Sequence, residues 1–163
     1  MAKPAKMIEL NQKEKAILVT VDVFAFRDKS FEIENESLEL RELAKTAGIE
    51  VMEELACHYD NPAPSLFIGK GKAEELSLLA GESNVDVVIF SVDLSGTQQR
   101  NLEDKIGCKV IDRTQLILDI FALHAKSPEG KTQVELAQLE YLLPRLTGKG
   151  ILLSGLGGGI GTR

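Results

Sequence analysis

Apolar and polar positions along the chain change period repeatedly, and the changes mark alternating strands and helices. Ala16 to Val21, AILVTV, is a continuous apolar and β-branched run, the pattern of a strand buried on both faces. Ser37 then offers a helix N-cap, Leu38, Leu40, Leu43, Ala44 and Ala47 recur at helical spacing, and Gly48 follows as a stop. Strand character resumes from Ile49 to Tyr59 and is broken by Asn61-Pro62-Ala63-Pro64. Ala73 to Ala80 reads as a second helix carrying Leu76, Leu78 and Leu79. Val85 to Phe90 is the next buried strand. Ser95 with Gln98 three residues later forms a capping box for a third helix, which runs to Lys105 and is closed by Gly107. Lys109 to Asp112 is a short strand, and Thr114 to His124 is helical again.

Strands alternating with helices at this spacing require crossover connections. The expected fold is α/β: a small open parallel sheet of about four strands, order 2-1-3-4, with helices on both faces. After Ser127-Pro128-Glu129-Gly130 the pattern changes. From Lys131 to Leu146, Leu136, Leu139, Leu143 and Leu146 are spaced three and four apart, and Val134, Ala137 and Tyr141 flank them. That helix is apolar on too wide a face to stand alone. It is expected to be the first half of an antiparallel helical pair, or to pair with a second copy of the chain. The organisation predicted is a polar lead-in over 1–15, an α/β domain over 16–126, a long helix over 127–147 and a glycine-rich basic loop over 148–163, cut short by the end of the chain.

Charge sharpens this division. Pro144 to Arg163 holds seven glycines and the cations Arg145, Lys149 and Arg163, with no acid. Removing those 3 from totals of 19 basic and 25 acidic residues leaves 16 against 25, a net of −9 before Pro144. The ending is a cationic island on an acidic domain, suited to phosphate even though the whole chain carries −6. With 44% hydrophobic residues the chain can bury a core. No signal peptide and no run of about 18 apolar residues is present, so a cytoplasmic protein without a membrane span is expected. Cys57 and Cys108 have no metal-ligand spacing and read as buried free thiols.

Two segments are candidates for ligand chemistry. Gly69, Lys70, Gly71 and Lys72, in FIGKGK, stand just before the second helix, where backbone N–H groups, glycines and lysines together favour a phosphate. An exposed turn with two solvated lysines explains them equally. The segment is neither GxxxxGK[ST] nor GxGxxG. Asp93, Arg100 and Asn101 lie in or just after the loop at the carboxyl end of a strand, the usual ligand position in an open α/β sheet, although capping alone accounts for Ser95 and Gln98. No catalytic or metal constellation emerges. His58 and His124 are far apart in sequence, and His124 suits a helix C-terminus.

The run VIDRTQLILDIFALHAKSPEGKTQVELAQLEYLLPRL from Val110 to Leu146, followed by LTGKG and GGGIGTR, resembles the HflX family of ribosome-associated GTPases. FIGKGK and SGTQQRNLE resemble their counterparts there, so the likeness spans Ala16 to Arg163. It implies an N-terminal α/β domain, a long helical pair and a P-loop G domain that binds GTP and Mg²⁺. It further implies association with the large ribosomal subunit and a part in ribosome splitting. The glycine-rich loop would approach ribosomal RNA, which makes Arg145, Lys149, Gly157, Gly158, Gly159, Gly161, Thr162 and Arg163 the implied RNA-contacting residues. Adenine-nucleotide binding by the family's N-terminal region would fall on Gly69 to Lys72.

The chain departs from the family pattern in having no Walker A, DxxG or NKxD element, so no cofactor and no GTP hydrolysis are expected of these residues themselves. Three readings follow. The first is a ribosome-binding module. The second is an ATP-binding α/β domain with weak ATPase activity. The third is a regulatory domain that restrains the protein's own G domain.

Overall fold

A computed structural model describes residues 13–26 and 33–147. Among them are four strands and five helices: β1 (Lys15–Val23), a 3-10 turn (Phe24–Phe26), α1 (Ile33–Thr46), β2 (Glu50–Tyr59), α2 (Lys70–Glu82), β3 (Val87–Phe90), α3 (Gly96–Ile106), β4 (Lys109–Asp112), α4 (Arg113–His124) and α5 (Pro128–Thr147). The strands form one parallel sheet in the order β2-β1-β3-β4, as expected.

The sheet separates two apolar layers because β1 alternates sides with period two. Ile17, Val19, Val21 and Val23 pack with Ala73, Leu76, Leu102 and Ile106 of α2 and α3. Ala16 and Leu18 pack with Leu40 and Ala44 of α1 and Leu116 and Ile120 of α4. Leu18 is 1% exposed and Ile17, Leu76 and Leu102 are fully buried. Each such side chain stabilises the fold by roughly 1.5–3 kcal/mol. The edge strand β2 is mostly exposed and carries Glu50, Glu53 and Glu54, charges that discourage another strand from pairing there.

Helix starts differ from the sequence reading in instructive ways. Helix α1 begins at Ile33, and Ser37 lies inside it, its hydroxyl donating to Thr20 Oγ1 at 2.9 Å instead of capping. Helix α2 begins at Lys70, so both lysines of FIGKGK belong to its first turn. Strand β3 begins at Val87, two residues later than its apolar run. Ser127-Pro128-Glu129-Gly130 starts the long helix: the Gly130 N–H donates to Ser127 Oγ at 3.0 Å, and Pro128 occupies the first helical position, where its missing N–H costs nothing. The capping box of Ser95 and Gln98 is present as expected, and Gly107 ends α3 with φ 88°, a left-handed conformation that favours glycine.

Candidate functional site

The carboxyl edge of the sheet gathers the loops 24–26, 60–69, 91–95 and the β4–α4 junction at Asp112. Its most connected residue is Asp112, which is fully buried. Oδ1 accepts from the Gln115 N–H at 3.0 Å, capping α4, and from the Tyr141 hydroxyl at 2.6 Å. Oδ2 accepts from the Leu94 N–H at 3.1 Å and from Arg145 Nη2 at 3.3 Å. A buried carboxylate is tolerated only when its lone pairs are met by donors and its charge by a cation, and here both conditions hold.

Helix α5 delivers Tyr141 and Arg145 to this point. It runs back along α4, where Gln138 hydrogen-bonds Asp119, so its last turn returns to the level of Asp112. Arg145 also donates to the Leu94 carbonyl at 2.7 Å and the Tyr141 carbonyl at 2.9 Å, and its guanidinium stacks 3.5 Å from the Tyr141 ring centroid. Burial, reinforced by the Asp112 hydrogen bond and charge, pushes the Tyr141 phenol well above its ordinary range. The hydroxyl therefore stays a donor at all physiological pH. Gly96, the first residue of α3, makes the approach possible: a Cβ there would lie 2.8 Å from Arg145 Cα.

The other candidates are engaged differently. Asp93 accepts from Thr114 Oγ1 at 2.6 Å, tying loop 91–95 to α4. Asn101 Nδ2 donates to the Ser65 carbonyl at 2.9 Å and Gln98 Nε2 to the Ala63 carbonyl at 3.0 Å, so α3 holds the loop that leads into FIGKGK. Arg100 lies 3.4 Å from Thr97 Oγ1, and its Nη1 is buried with no hydrogen-bond partner. In that loop Phe67 is buried with φ 65°, an unfavourable conformation held by paired backbone hydrogen bonds to Ala63. Gly69 N–H donates to the Tyr59 hydroxyl at 3.2 Å. Helix α2 has no side-chain cap and no acid in its first turn, while Lys72 pairs with Glu75 at 2.8 Å.

Thus Arg145, from the basic ending, meets Leu94 beside Asp93, whereas Gly69 to Lys72 stand apart from both. Lys149, Gly157, Gly158, Gly159, Gly161, Thr162 and Arg163 lie outside the described residues. Sequence reasoning missed Asp112 and Gly96. Asp112 followed by Gln115 is an N-cap signature that points to the helix start, though not to the junction with α5.

A second recess lies at the carboxyl ends of β1 and β2, about 340 Å³, lined by Asp22, Phe24, His58, Tyr59 and Asp60. His58 Nδ1 meets Asp22 Oδ2 at 2.9 Å. Burial, and then the Asp22 charge, raise the Glu36 carboxyl above its usual range. Among the described residues no cluster could hold a metal ion, and no helix is long and apolar enough to cross a membrane.

Comparison with known proteins agrees with this architecture. The model of the GTP-binding GTPase N-terminal family matches residues 34–122, and that of the GTP-binding GTPase middle region matches 124–163. The fold and these matches define an N-terminal region of a GTP-binding GTPase. The chain is 52% identical over 151 residues to GTPase HflX of Caldanaerobacter subterraneus subsp. tengcongensis, covering 93% of this chain and 34% of that protein. It is 42% identical over 150 residues to GTPase HflX of Escherichia coli, covering 92% and 34%. A solved GTP-binding protein of Sulfolobus solfataricus, in complex with GDP, superposes with a TM-score of 0.63 at 27% identity, over 84% of this chain and 40% of that one. The chain belongs to the HflX family of GTPases and corresponds to its N-terminal region. It spans about a third of the length of these relatives.

Proposed function

We propose that the chain is the N-terminal ribosome-binding module of an HflX-type GTP-binding protein, acting in the cytoplasm. It associates with the large ribosomal subunit and takes part in ribosome splitting, while GTP and Mg²⁺ are bound by the G domain of the longer protein. The observation that supports this reading best is the union of an acidic α/β body with a basic, glycine-rich ending rooted at a fixed point. Arg145 is pinned at the carboxyl edge, and Lys149 and Arg163 follow it in sequence. Glycines in that ending allow the main chain to approach a phosphate backbone closely, which a sequence with bulky side chains would prevent. The outward face of α5, with Leu136, Leu139 and Leu143 each 56% exposed, is the complementary requirement of a module that packs against further helix, either its own or a second copy's.

Sedimentation with purified large subunits tests the reading. Binding should fall steeply with salt, and replacing Lys149 and Arg163 by Gln should lower the slope of log K against log salt by roughly 1.5. An unchanged slope removes the cationic ending from the binding surface.

A second reading, binding of an adenine nucleotide with weak ATPase activity, is favoured by the uncapped N-terminus of α2 with Gly69, Lys70, Gly71 and Lys72. Calorimetry with ATP should then give saturable heat that disappears in Lys70→Ala with Lys72→Ala. Absence of heat in the unaltered chain rejects it. Asn101, which holds Ser65 in the loop before Gly69, and its neighbour Arg100 would contribute from α3, whereas Asp93 is tied to Thr114 and would not.

A further inference from the structure

We infer that Asp112 is a positioning residue for the basic ending: its carboxylate clamps the last turn of α5 to the sheet and sets where the glycine-rich strip leaves the body. The functional consequence rests on the ribosome-binding reading, whereas the clamp itself rests on geometry alone.

Helix α5 is poorly equipped to hold its own last turn. Pro144 lacks the N–H that would bond the carbonyl four residues back, so the turn that precedes the strip is one hydrogen bond short. Among the described residues the leucines of the outward face add little to hold it, since Leu136, Leu139 and Leu143 are each more than half exposed. Near the end the partly buried residues are Tyr141, Arg145 and Leu146, and the first two supply polar anchors. Tyr141 and Arg145 converge on one buried carboxylate, and Arg145 adds the Leu94 carbonyl. Gly96 supplies the only kind of surface, one without a side chain, that lets the two backbones come this close. The same carboxylate caps α4 and holds the loop before α3, so α4, that loop and the end of α5 share a single anchor. Removing a shared acceptor from such a network leaves several buried donors unmet at once.

This assigns Arg145 a role distinct from that of a free cation, and the two roles predict different outcomes, opposite in sign for Asp112→Asn. If only charge matters, Asp112→Asn removes a negative charge and strengthens binding to RNA, and Arg145→Lys changes nothing. If the clamp matters, Asp112→Asn keeps the side chain's size but turns one oxygen into a donor that faces the Leu94 N–H and the Arg145 guanidinium. Arg145→Lys keeps the charge and loses the planar fork whose two Nη groups reach Tyr141, Leu94 and Asp112. Both then weaken binding.

The experiment combines amide hydrogen exchange with sedimentation of the 163-residue chain on purified large ribosomal subunits. Asp112→Asn should speed exchange at 141–147 by about tenfold or more, with β1 and β3 unchanged. Asp112→Asn and Arg145→Lys should each weaken subunit binding severalfold. Exchange at 141–147 equal to that of the unaltered chain overturns the clamp. Faster exchange with equal or tighter binding overturns the positioning role. If Asp112→Asn fails to fold, Tyr141→Phe, which deletes one hydroxyl, carries the same exchange comparison. If the unaltered chain does not bind subunits at all, the ribosome-binding reading and the positioning role fall together, and the exchange data still decide whether the clamp exists.

Discussion

Replacing Gly96 by Ala should destabilise the protein, although Gly→Ala in a helix is ordinarily stabilising. The new Cβ would stand 2.8 Å from Arg145 Cα and 3.3 Å from its Cβ and Cγ. Carbon atoms rest at about 3.5–4.0 Å, so the two helices must separate by roughly 1 Å. Rotating a side chain cannot relieve a contact with Cα, and the whole end of α5 has to move. Insertion of a methyl group into a filled contact costs about 1–3 kcal/mol. The intrinsic gain of Ala over Gly is at most about 1 kcal/mol in a helix interior and smaller at a first helical position. A net loss of about 1–2 kcal/mol is expected, which lowers the melting temperature by about 2–4 °C per kcal/mol in a chain of this size.

Gly81 provides the internal control. It lies in α2, is exposed, and a Cβ there would have nothing within 4 Å. Gly81→Ala should raise stability by about 0.5–1 kcal/mol. Urea and thermal unfolding followed by circular dichroism should therefore move in opposite directions for two chemically identical substitutions. A Gly96→Ala protein that melts at or above the unaltered chain would refute the close approach of α3 and α5. Combined with Asp112→Asn, Gly96→Ala should cost less than it does alone, because the helix end has already been released.

Other outcomes follow from single residues. Gly107→Ala meets no atom within 4 Å, but its φ of 88° is strained for a residue with a Cβ, so a loss of about 1 kcal/mol in urea unfolding is expected from backbone alone. Ser95→Ala removes the acceptor for the Gln98 N–H and should cost about 1 kcal/mol by the same measurement. Burial pushes the Cys57 thiol up to about 11. Native Cys57 should react with a thiol reagent at pH 8 far more slowly than the denatured chain does. Because the folded state binds this proton more tightly, its contribution to stability is complete below about 9 and is lost as pH rises towards about 11. Unfolding midpoints that do not fall across that interval would contradict the burial.

The alternation of apolar runs and capped helices made the fold legible, for a physical reason. In a parallel sheet the strands are buried on both faces, so β1 and β3 announce themselves as unbroken runs, and short crossovers leave few ways to order them. Starts of helices were less legible. Ser37 has the composition of a cap, yet its hydroxyl serves Thr20 across the α1–β1 interface, a partner that no local pattern reveals. Ser127-Pro128 resembles a break because proline stops helices from within, although at a first helical position it begins one. The lysines of FIGKGK were expected just before a helix, whereas they lie in its first turn, where Lys72 already pairs with Glu75.

Arg145 illustrates the limit most clearly. By composition it is one of three cations in an acid-free, glycine-rich ending, and charge counting cannot separate it from Lys149 and Arg163. An arginine can be drawn towards the body only where a carboxylate and carbonyl oxygens offset its loss of water. Those acceptors come from residues 33 and 51 positions earlier, Asp112 and Leu94, and converge only after β3, β4 and α3 have formed. The assignment of Arg145 is thus a property of the fold and not of its neighbourhood in sequence. It has a consequence for any phosphate-bearing partner. Under the ribosome-binding proposal, with Arg145 committed to Asp112, the ending's own attraction to RNA rests on Lys149 and Arg163, about two released counterions. On that proposal, the rest of the affinity for a large subunit must come from shape, which makes the placement of the last turn of α5 matter more than the number of cations that follow it in sequence.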